Sequence, residues 1–158
     1  MAFYDTLKTP VGELLICEEN GFLTHIVFMN HTGKFDLTQH EKKSTPLIQK
    51  CILQLNEYFD GKRKVFDLPL NPSGTDFQKK DWDALCKIPY GKTCTYKDIA
   101  IAIGNEKACR AVGMANHNNP ISIVIPCHRV VGADGSLTGY GGGLKVKKYL
   151  LELEQKYS

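Results

Sequence analysis

The turn-rich segment Asn71-Pro72-Ser73-Gly74-Thr75 constrains the fold more than any other feature of the sequence. Before it, short apolar runs separated by turn residues indicate β-strands, with one helical pattern among them. After it, apolar residues recur mainly at helical spacing. We therefore predict an α+β protein. Residues 1–71 should form a small N-terminal domain of antiparallel sheet plus helix, and residues 72–158 a mostly helical C-terminal domain.

The N-terminal part contains a clear hairpin signal. Asn20-Gly21 readily adopts the positive φ angles of a tight turn and is flanked by two strand patterns. Further along the chain, Ser44 or Thr45 caps a helix that Gly61 ends. Strands are expected over residues 3–7, 12–17, 22–28 and 65–70, and a polar surface connection over residues 29–43.

The C-terminal part begins with a helix expected over residues 76–87. Thr95, with Asp98 in capping-box position, begins a second helix that ends at Gly104-Asn105, and a third follows from residue 106 to about 115. Helix, glycine turn and a helix of small residues form the outline of a helix-turn-helix, from which Arg110 can project. The alternative is a helical pair packed in a core, with Arg110 as a solvated surface charge.

Composition places the chain among ordinary globular proteins. The net charge of +3 permits nucleic-acid binding without demanding it. No apolar run is long enough to cross a bilayer and no signal peptide is recognisable, so we expect a soluble, cytoplasmic protein without membrane contact. Six cysteines without a Cys-x-x-Cys pair predict neither disulfides nor a zinc knuckle. A metal site combining Cys17 with His25 or His31 is conceivable, but we predict no metal.

The apolar stretch over residues 123–131 is interrupted by Pro126, Cys127, His128 and Arg129. We expect a buried extended segment that bends at the proline. Cys127 is then either one more buried thiol or a nucleophile activated by His128, with Glu152 or Glu154 of a final helix behind it. Adjacent side chains of a strand point to opposite faces, which predicts that His128 acts on Cys127 through a water.

That final helix is expected over residues 144–156, after a glycine-rich segment, 132–143, which is a plausible pocket wall. Its apolar residues should face the core. The residues expected to point inward are Leu144, Tyr149, Leu150 and Leu153, with Glu154 among them.

The segment Pro126-Cys127-His128-Arg129-Val130 resembles the active-site motif of the O6-alkylguanine-DNA alkyltransferases. The resemblance extends closely over about residues 72–156, and the N-terminal part matches only in layout. The further matching motifs are Ile88-Pro89-Tyr90-Gly91, Thr95-Tyr96, Arg110-Ala111-Val112-Gly113, Asn119-Pro120 and Gly139-Tyr140 with the glycines after it.

The resemblance implies a chemical role for several residues. Cys127 would accept the alkyl group from O6 of guanine, His128 would deprotonate it through a water, and Glu154 would orient His128. Tyr96 would donate a proton toward the base, and Asn119 would hold the turn near the thiol. The expected DNA-binding residues are Arg110, Tyr96, Lys97, Asn105 and Gly113, and the expected pocket residues are Tyr140, Gly141 and Val130.

The same resemblance implies a partner and a mode of binding. The partner is double-stranded DNA that contains O6-alkylguanine, with O4-alkylthymine as a second candidate substrate. The protein would bind through the minor groove, flip the base out and fill the gap with Arg110. It would act as a monomer without a cofactor, and only once, because a thioether on Cys127 has no residue to hydrolyse it.

His117 departs from the family pattern, since many relatives carry glycine there, and the zinc ligands of some relatives are missing. Three other interpretations remain open: a thiol hydrolase that uses Cys127 and His128, a non-catalytic binder of alkylated DNA, and a helix-turn-helix regulator. The non-catalytic binders of this type lack the reactive cysteine, and no sensing domain precedes the motif.

Overall fold

A computed structural model describes residues 1–29 and 36–158 of the chain. The chain forms two compact units, Met1–Ser73 and Gly74–Ser158, each with its own buried apolar side chains. The first combines a sheet with a helix and the second is mostly helical. This architecture confirms the α+β class predicted from the sequence.

The first unit is built on three antiparallel strands. β1 (Ala2–Thr9), β2 (Gly12–Glu19) and β3 (Phe22–Phe28) follow one another and pair in sequence order. The turn between β2 and β3 places Asn20 and Gly21 at φ angles of 55° and 83°. These are the left-handed conformations that an Asn-Gly turn supplies at little steric cost, so the predicted hairpin is confirmed.

The helix of this unit, α1 (Pro46–Phe59), packs against the three antiparallel strands. Thr45 caps it, since its hydroxyl accepts a hydrogen bond from the backbone N–H of Ile48 at 3.1 Å. Its buried face consists of Ile48, Cys51, Gln54, Leu55 and Tyr58.

Two predictions for this unit were wrong. The expected surface connection contains β4 (His40–Lys42), which pairs parallel to β1 at the edge of the sheet. Its three residues are all polar, so the sequence shows no apolar alternation there. The pairing needs only backbone groups, which every residue type supplies. Residues 65–70 form a single bridge from Leu70 to Leu23 rather than a strand. His31, the alternative metal ligand, lies outside the described residues.

The second unit holds four helices and two short strands. α2 packs against α3 and α4, and the indole N–H of Trp82 donates to the Ala115 carbonyl at 2.9 Å. In chain order the elements are α2 (Asp76–Leu85), β5 (Cys94–Thr95), α3 (Tyr96–Ala102), α4 (Cys109–His117), a 3-10 turn (Cys127–Arg129), β6 (Val130–Val131) and α5 (Leu144–Tyr157).

The capping box predicted for α3 is present. The Thr95 hydroxyl accepts from the Asp98 N–H at 3.1 Å, and the Asp98 carboxylate accepts from the Thr95 N–H at 2.9 Å. Two N–H groups at the start of the helix are thereby satisfied. The box fixes where α3 begins, and therefore where Tyr96 stands.

Helix boundaries or side-chain orientation differ from the sequence expectation in α2, α4 and α5. α2 ends at Leu85, two residues before the predicted end at 87, and α4 begins at Cys109, where residue 106 was predicted. His117 belongs to the last turn of α4 and not to a loop. In α5, Leu150 and Leu153 are buried as predicted. Leu144 and Tyr149 are instead 50% and 38% exposed.

All six cysteines are free thiols. Over residues 1–29 and 36–158, no helix is long and apolar enough to cross a membrane. The same residues contain no group of three or more His, Cys, Asp or Glu side chains that could hold a metal ion.

Removing the Thr95 hydroxyl tests whether the capping box stabilises α3. Thr95→Ala should lower the free energy of unfolding by about 1 kcal/mol, because the Asp98 N–H loses the hydroxyl that accepts from it. Thr95→Ser, which keeps the hydroxyl, should restore most of it. Urea unfolding followed by circular dichroism measures both. Equal stability of Thr95→Ala and the parent chain would contradict the capping role.

Candidate active site

The carboxylate of Glu154 on α5 is the centre of the polar cluster in the second unit. It is 1% exposed. Its Oε2 lies 2.6 Å from Nε2 of His128, and its Oε1 accepts from Nε of Arg129 at 2.8 Å. Nη2 of Arg129 also donates to Oε2 at 3.1 Å, and the backbone N–H of Gly91 donates to Oε1 at 3.2 Å. One buried carboxylate thus fixes two consecutive side chains of the 3-10 turn.

The charges of this cluster follow from burial and pairing. Burial alone would raise the pKa of Glu154, but the hydrogen bonds and charges of His128 and Arg129 outweigh it and lower the pKa to about 2. Burial lowers the pKa of His128 from 6.5, against the opposing effect of Glu154. At neutral pH the ion pair is therefore Glu154 with Arg129, and His128 is neutral.

This charge state fixes the tautomer of His128. Ionised Glu154 can only accept, so Nε2 of His128 carries the hydrogen and Nδ1 carries a lone pair. Within the described part of the chain, Nδ1 has no hydrogen-bond partner. The imidazole is thus oriented by a carboxylate on one side and holds a basic nitrogen on the other, which is the arrangement of a general base.

Arg129 is held on all sides. Besides its bonds to Glu154, its Nη1 donates to the carbonyl of Ile88 at 2.7 Å, and its guanidinium lies 5.7 Å from the centre of the Tyr90 ring. The Ile88-Pro89-Tyr90-Gly91 segment therefore serves as the docking site of Arg129. Arg129 is the buried cation that allows Glu154 to stay ionised.

The thiol of Cys127 is buried, at 7% exposed, and is held by Asn119. The Asn119 amide donates to Sγ at 3.2 Å and to the Ile125 carbonyl at 2.8 Å, while its oxygen accepts from the Ile121 N–H at 3.0 Å. The segment between the two residues is thereby folded back on itself. Asn119 is placed where it can stabilise negative charge on sulfur.

The segment before Cys127 is not the extended strand expected from its apolar sequence. Backbone bonds close tight turns from Ile121 to Ile125 and from Ser122 to Val124. Ile123 adopts a φ of 72°, which is strained for a β-branched residue. Apolar side chains explain the burial of this segment, but only residues 130–131 find a partner strand. Cys127 and His128 lie in a 3-10 turn, so the strand alternation from which a water between them was expected does not apply. No direct hydrogen bond joins the two side chains in the described residues.

The pKa of Cys127 is raised to about 11, mainly by burial. The Asn119 hydrogen bond and the positive charge of Lys147 lower the pKa, and the charge of Asp81 raises it. The resting form at neutral pH is therefore the thiol and not the thiolate. Reaction at this sulfur requires a group that accepts the proton.

The glycine-rich segment after β6 is tied to α3 and α5 through Thr138. The Tyr96 hydroxyl donates to the Thr138 carbonyl at 3.0 Å and accepts from the Thr138 hydroxyl at 3.1 Å. Lys147, fully buried on α5, donates to the same carbonyl at 2.8 Å. Tyr140 also lies here: burial, and then the charge of Cys127, raise its pKa well above 10.

Val130 connects the thiol segment with the start of α3. It is fully buried in β6 and pairs with Cys94 in the parallel β5–β6 register, next to the pair of Val131 and Thr95. This short ladder holds Tyr96 at a fixed distance from the 3-10 turn. Gly141 approaches the carbonyl of His117, where an added Cβ would lie 3.6 Å away.

The exposed face of α4 borders a depression of about 380 Å³. Gly113 faces the Tyr96 ring, where an added Cβ would be 3.8 Å from the nearest ring carbon. Arg110 is exposed on the rim, and so is His117, the departure noted in the sequence. Lys97 and Asn105 are also exposed but do not line the depression. Its lining is Tyr96, Cys109, Arg110, Gly113, His117, Thr138 and Gly139.

Sequence reasoning missed three buried polar residues: Asp81, Arg129 as a structural cation, and Lys147. Lys147 precedes Leu150 by three positions and Glu154 by seven, so helical periodicity places it on the inward face of α5. Asp81 likewise precedes buried Leu85 by four positions, which places it on the inward face of α2. The sequence signal that could have identified Lys147 and Asp81 is a charged residue at a core-facing position of a helical pattern. Glu152, the other carboxylate considered behind His128, lies on the surface with Lys148.

The Glu154 cluster predicts a specific pH dependence of stability. Glu154→Gln should cost about 3–5 kcal/mol at neutral pH, because Arg129 is left buried without its counter-charge. A folded pKa of about 2 lies below the ordinary 4.5, so this stabilisation is present above pH 4.5 and is lost as the pH falls toward 2. The difference in the free energy of unfolding between variant and parent, measured by urea unfolding, should therefore shrink as the pH falls over that range.

Glu152→Gln is the matched control for this prediction. Its carboxylate is 69% exposed, so the change should cost less than about 0.5 kcal/mol at any pH. An equally small effect of Glu154→Gln at neutral pH would contradict the role of Glu154 as the centre of the cluster.

Comparison with known proteins agrees with this geometry. The family model described as 6-O-methylguanine DNA methyltransferase, DNA binding domain, matches residues 76–156, and the one described as its ribonuclease-like domain matches residues 2–72. The methylated-DNA–protein-cysteine methyltransferase of Methanosarcina barkeri is 47% identical over 153 residues, which cover 97% of each chain.

Solved structures give the same result. The crystal structure of the Mycobacterium tuberculosis O6-methylguanine methyltransferase is similar with a TM-score of 0.93 and 43% identity, over 100% of this chain and 95% of that one. The structure of Mycobacterium tuberculosis OGT in complex with DNA has a TM-score of 0.91 and 43% identity, over 99% and 94%. The resemblance found in the sequence is confirmed: the chain belongs to the 6-O-methylguanine DNA methyltransferase family.

Proposed function

We propose that this protein repairs DNA by transferring the alkyl group of O6-alkylguanine irreversibly to Cys127. The observation that carries the proposal is a buried thiol, held by Asn119 at 3.2 Å, beside a histidine oriented by a buried carboxylate at 2.6 Å. Family membership supplies the reaction class. The geometry supports Cys127 as the acceptor, since the other five cysteines have no such surroundings among the described residues.

The transfer is a displacement at the alkyl carbon. The sulfur of Cys127 forms a bond to that carbon as the bond from carbon to guanine O6 breaks. The thiol proton passes to Nδ1 of His128, and the missing direct hydrogen bond between the two side chains supports a relay through water. Glu154 stabilises the imidazolium that forms, and Asn119 stabilises the developing charge on sulfur. The thioether persists, so each chain acts once.

Guanine leaves as a neutral base only if a proton reaches it. Tyr96 is our candidate donor, because this residue lines the depression beside α4 and carries a hydroxyl. That hydroxyl already donates to the Thr138 carbonyl, so an incoming base would have to replace this acceptor. The Lys147–Thr138 bond would keep the carbonyl paired when Tyr96 turns to the base.

Binding to double-stranded DNA is proposed through α3 and α4 in a helix-turn-helix arrangement. Exposed Arg110, close-packed Gly113 and the depression between them suit a helix that lies in the minor groove while the damaged base is flipped out. Lys97 and Asn105 would contact the backbone, and Tyr140, Gly141 and Val130 would surround the base. A monomeric state and a cytoplasmic location stay predictions from the sequence.

Intact mass spectrometry tests the reaction. Mixed with excess duplex that contains O6-methylguanine, the protein should gain the mass of one methyl group, and peptide analysis should locate it on Cys127. Cys127→Ser should gain nothing and still bind the duplex. Cys86→Ser is the matched control, because this cysteine is exposed and should be dispensable. Absence of a mass gain in the parent protein would refute the proposal.

Arg110→Ala tests base flipping. The variant should lose affinity and also transfer the methyl group at least ~10-fold more slowly at saturating DNA, because nothing fills the gap left by the base. Lys148→Ala removes the same charge from the exposed surface of α5 and should change neither quantity appreciably. Single-turnover rates with titrated duplex separate the two effects. An unchanged rate at saturation would contradict a flipping role for Arg110.

A further inference from the structure

Asp81 on α2 is an ionisable residue that the proposed mechanism does not use. It is fully buried, directly before Trp82, whose indole bonds α4. With the Asn116 amide nitrogen turned toward it, Asn116 donates to Oδ2 at 2.6 Å, to Oδ1 at 3.2 Å and to the Val112 carbonyl at 3.2 Å. A carboxyl enclosed in this way, with one amide as its partner, is uncommon in a protein core.

Asn116 links Asp81 to the thiol. It lies in the last turn of α4, and its backbone carbonyl accepts from the N–H of Asn119 at 3.2 Å. Asn119 in turn donates to Sγ of Cys127. A continuous set of hydrogen bonds therefore runs from α2 through the end of α4 to the sulfur.

Asp81 is also coupled to the thiol through space. Its negative charge raises the pKa of Cys127, in opposition to the charge of Lys147. The 3-10 turn packs against α2, and its ionisable side chains His128 and Arg129 are hydrogen-bonded to Glu154. The ionisable side chains of α3 and α4, which also pack against α2, are exposed or half-buried: Tyr96, Lys97, Asp98, Cys109, Arg110 and His117.

We propose that Asp81 is a positioning residue of the alkyl transfer, which holds the Asn116–Asn119 turn and whose charge state sets how readily Cys127 ionises. The inference rests on the proposed function, because it concerns the same sulfur. Protonated Asp81 leaves the thiol under the influence of Asn119 and Lys147 alone, whereas ionised Asp81 opposes thiolate formation.

The Asn116 amide can serve both charge states. Its nitrogen donates to an ionised carboxylate, and after a rotation of the amide its oxygen accepts from a protonated carboxyl. Burial raises the pKa of Asp81 to about 7, so the two states exchange near neutral pH. The turn can therefore stay in place while the charge beside Cys127 changes.

The pH profile of Cys127 reactivity tests this inference without DNA. Iodoacetamide modification of Cys127, followed by peptide mass spectrometry from pH 5.5 to 9.5, should give a profile in the parent protein that flattens around pH 7 and then rises again. In Asp81→Asn the profile should rise without a break. The two should coincide below about pH 6 and differ by at least ~3-fold above pH 8, which corresponds to half a pKa unit.

Asp83→Asn is the matched control, because this carboxylate lies two positions further on α2 and is exposed. It should reproduce the parent profile. If Asp81→Asn shifts the rate equally at every pH, its role is only structural and the proposal is wrong. An Asp81→Asn profile that still breaks near pH 7 would refute it as well.

Carbon NMR of the parent protein gives a second test that needs no variant at Asp81. The Asp81 carboxyl signal should titrate near pH 7, and a midpoint near 4 would overturn the inference. Methyl transfer from O6-methylguanine DNA, measured on the same samples, separates the two proposals. Transfer to Cys127 with an unbroken parent profile contradicts only the role of Asp81, whereas no transfer refutes the proposed function whatever Asp81 does.

Discussion

The second unit depends on one buried carboxylate. Glu154 accepts hydrogen bonds from His128, Arg129 and the backbone of Gly91, and so joins α5 to the 3-10 turn and to the segment after α2. A lone ion in this position would be costly, and the cluster is stable because Arg129 supplies the counter-charge. Burial leaves His128 neutral, with its lone pair on the nitrogen away from Glu154.

Structure and chemistry use these contacts together. The cluster that holds α5 against the 3-10 turn also orients His128, the base of the proposed reaction. The turn that buries Cys127 is closed by the Asn119 amide, which also donates to the sulfur. Burial keeps the pKa of Cys127 at about 11, so the sulfur is a thiol at rest, and in the proposed reaction its activation depends on His128. Strain at Ile123 is tolerated because hydrogen bonds on both sides fix the segment.

Local sequence signals predicted helix caps and tight turns reliably, because each of these features requires a particular residue type at a particular position. The capping box of Thr95 with Asp98 and the turn at Asn20-Gly21 were predicted correctly, and Thr45 is one of the two caps predicted for α1. Caps and tight turns are decided within a few residues. Pairing at a distance was not predictable in this way. The apolar segment 123–131 looks like a strand, yet only two of its residues find a partner. His40–Lys42 has no strand pattern, yet its backbone completes the sheet edge.

The sequence by itself determined the α+β class, the family resemblance and the identity of the candidate nucleophile and base, since these depend on residue types in a fixed order. Only the tertiary structure decided which carboxylate stands behind His128, that Arg129 is a structural cation, and that Asp81 and Lys147 lie near the sulfur. Those facts depend on which side chains from distant elements share one buried volume. The free energy of a charge there is set by its neighbours in space and not by its neighbours in the chain.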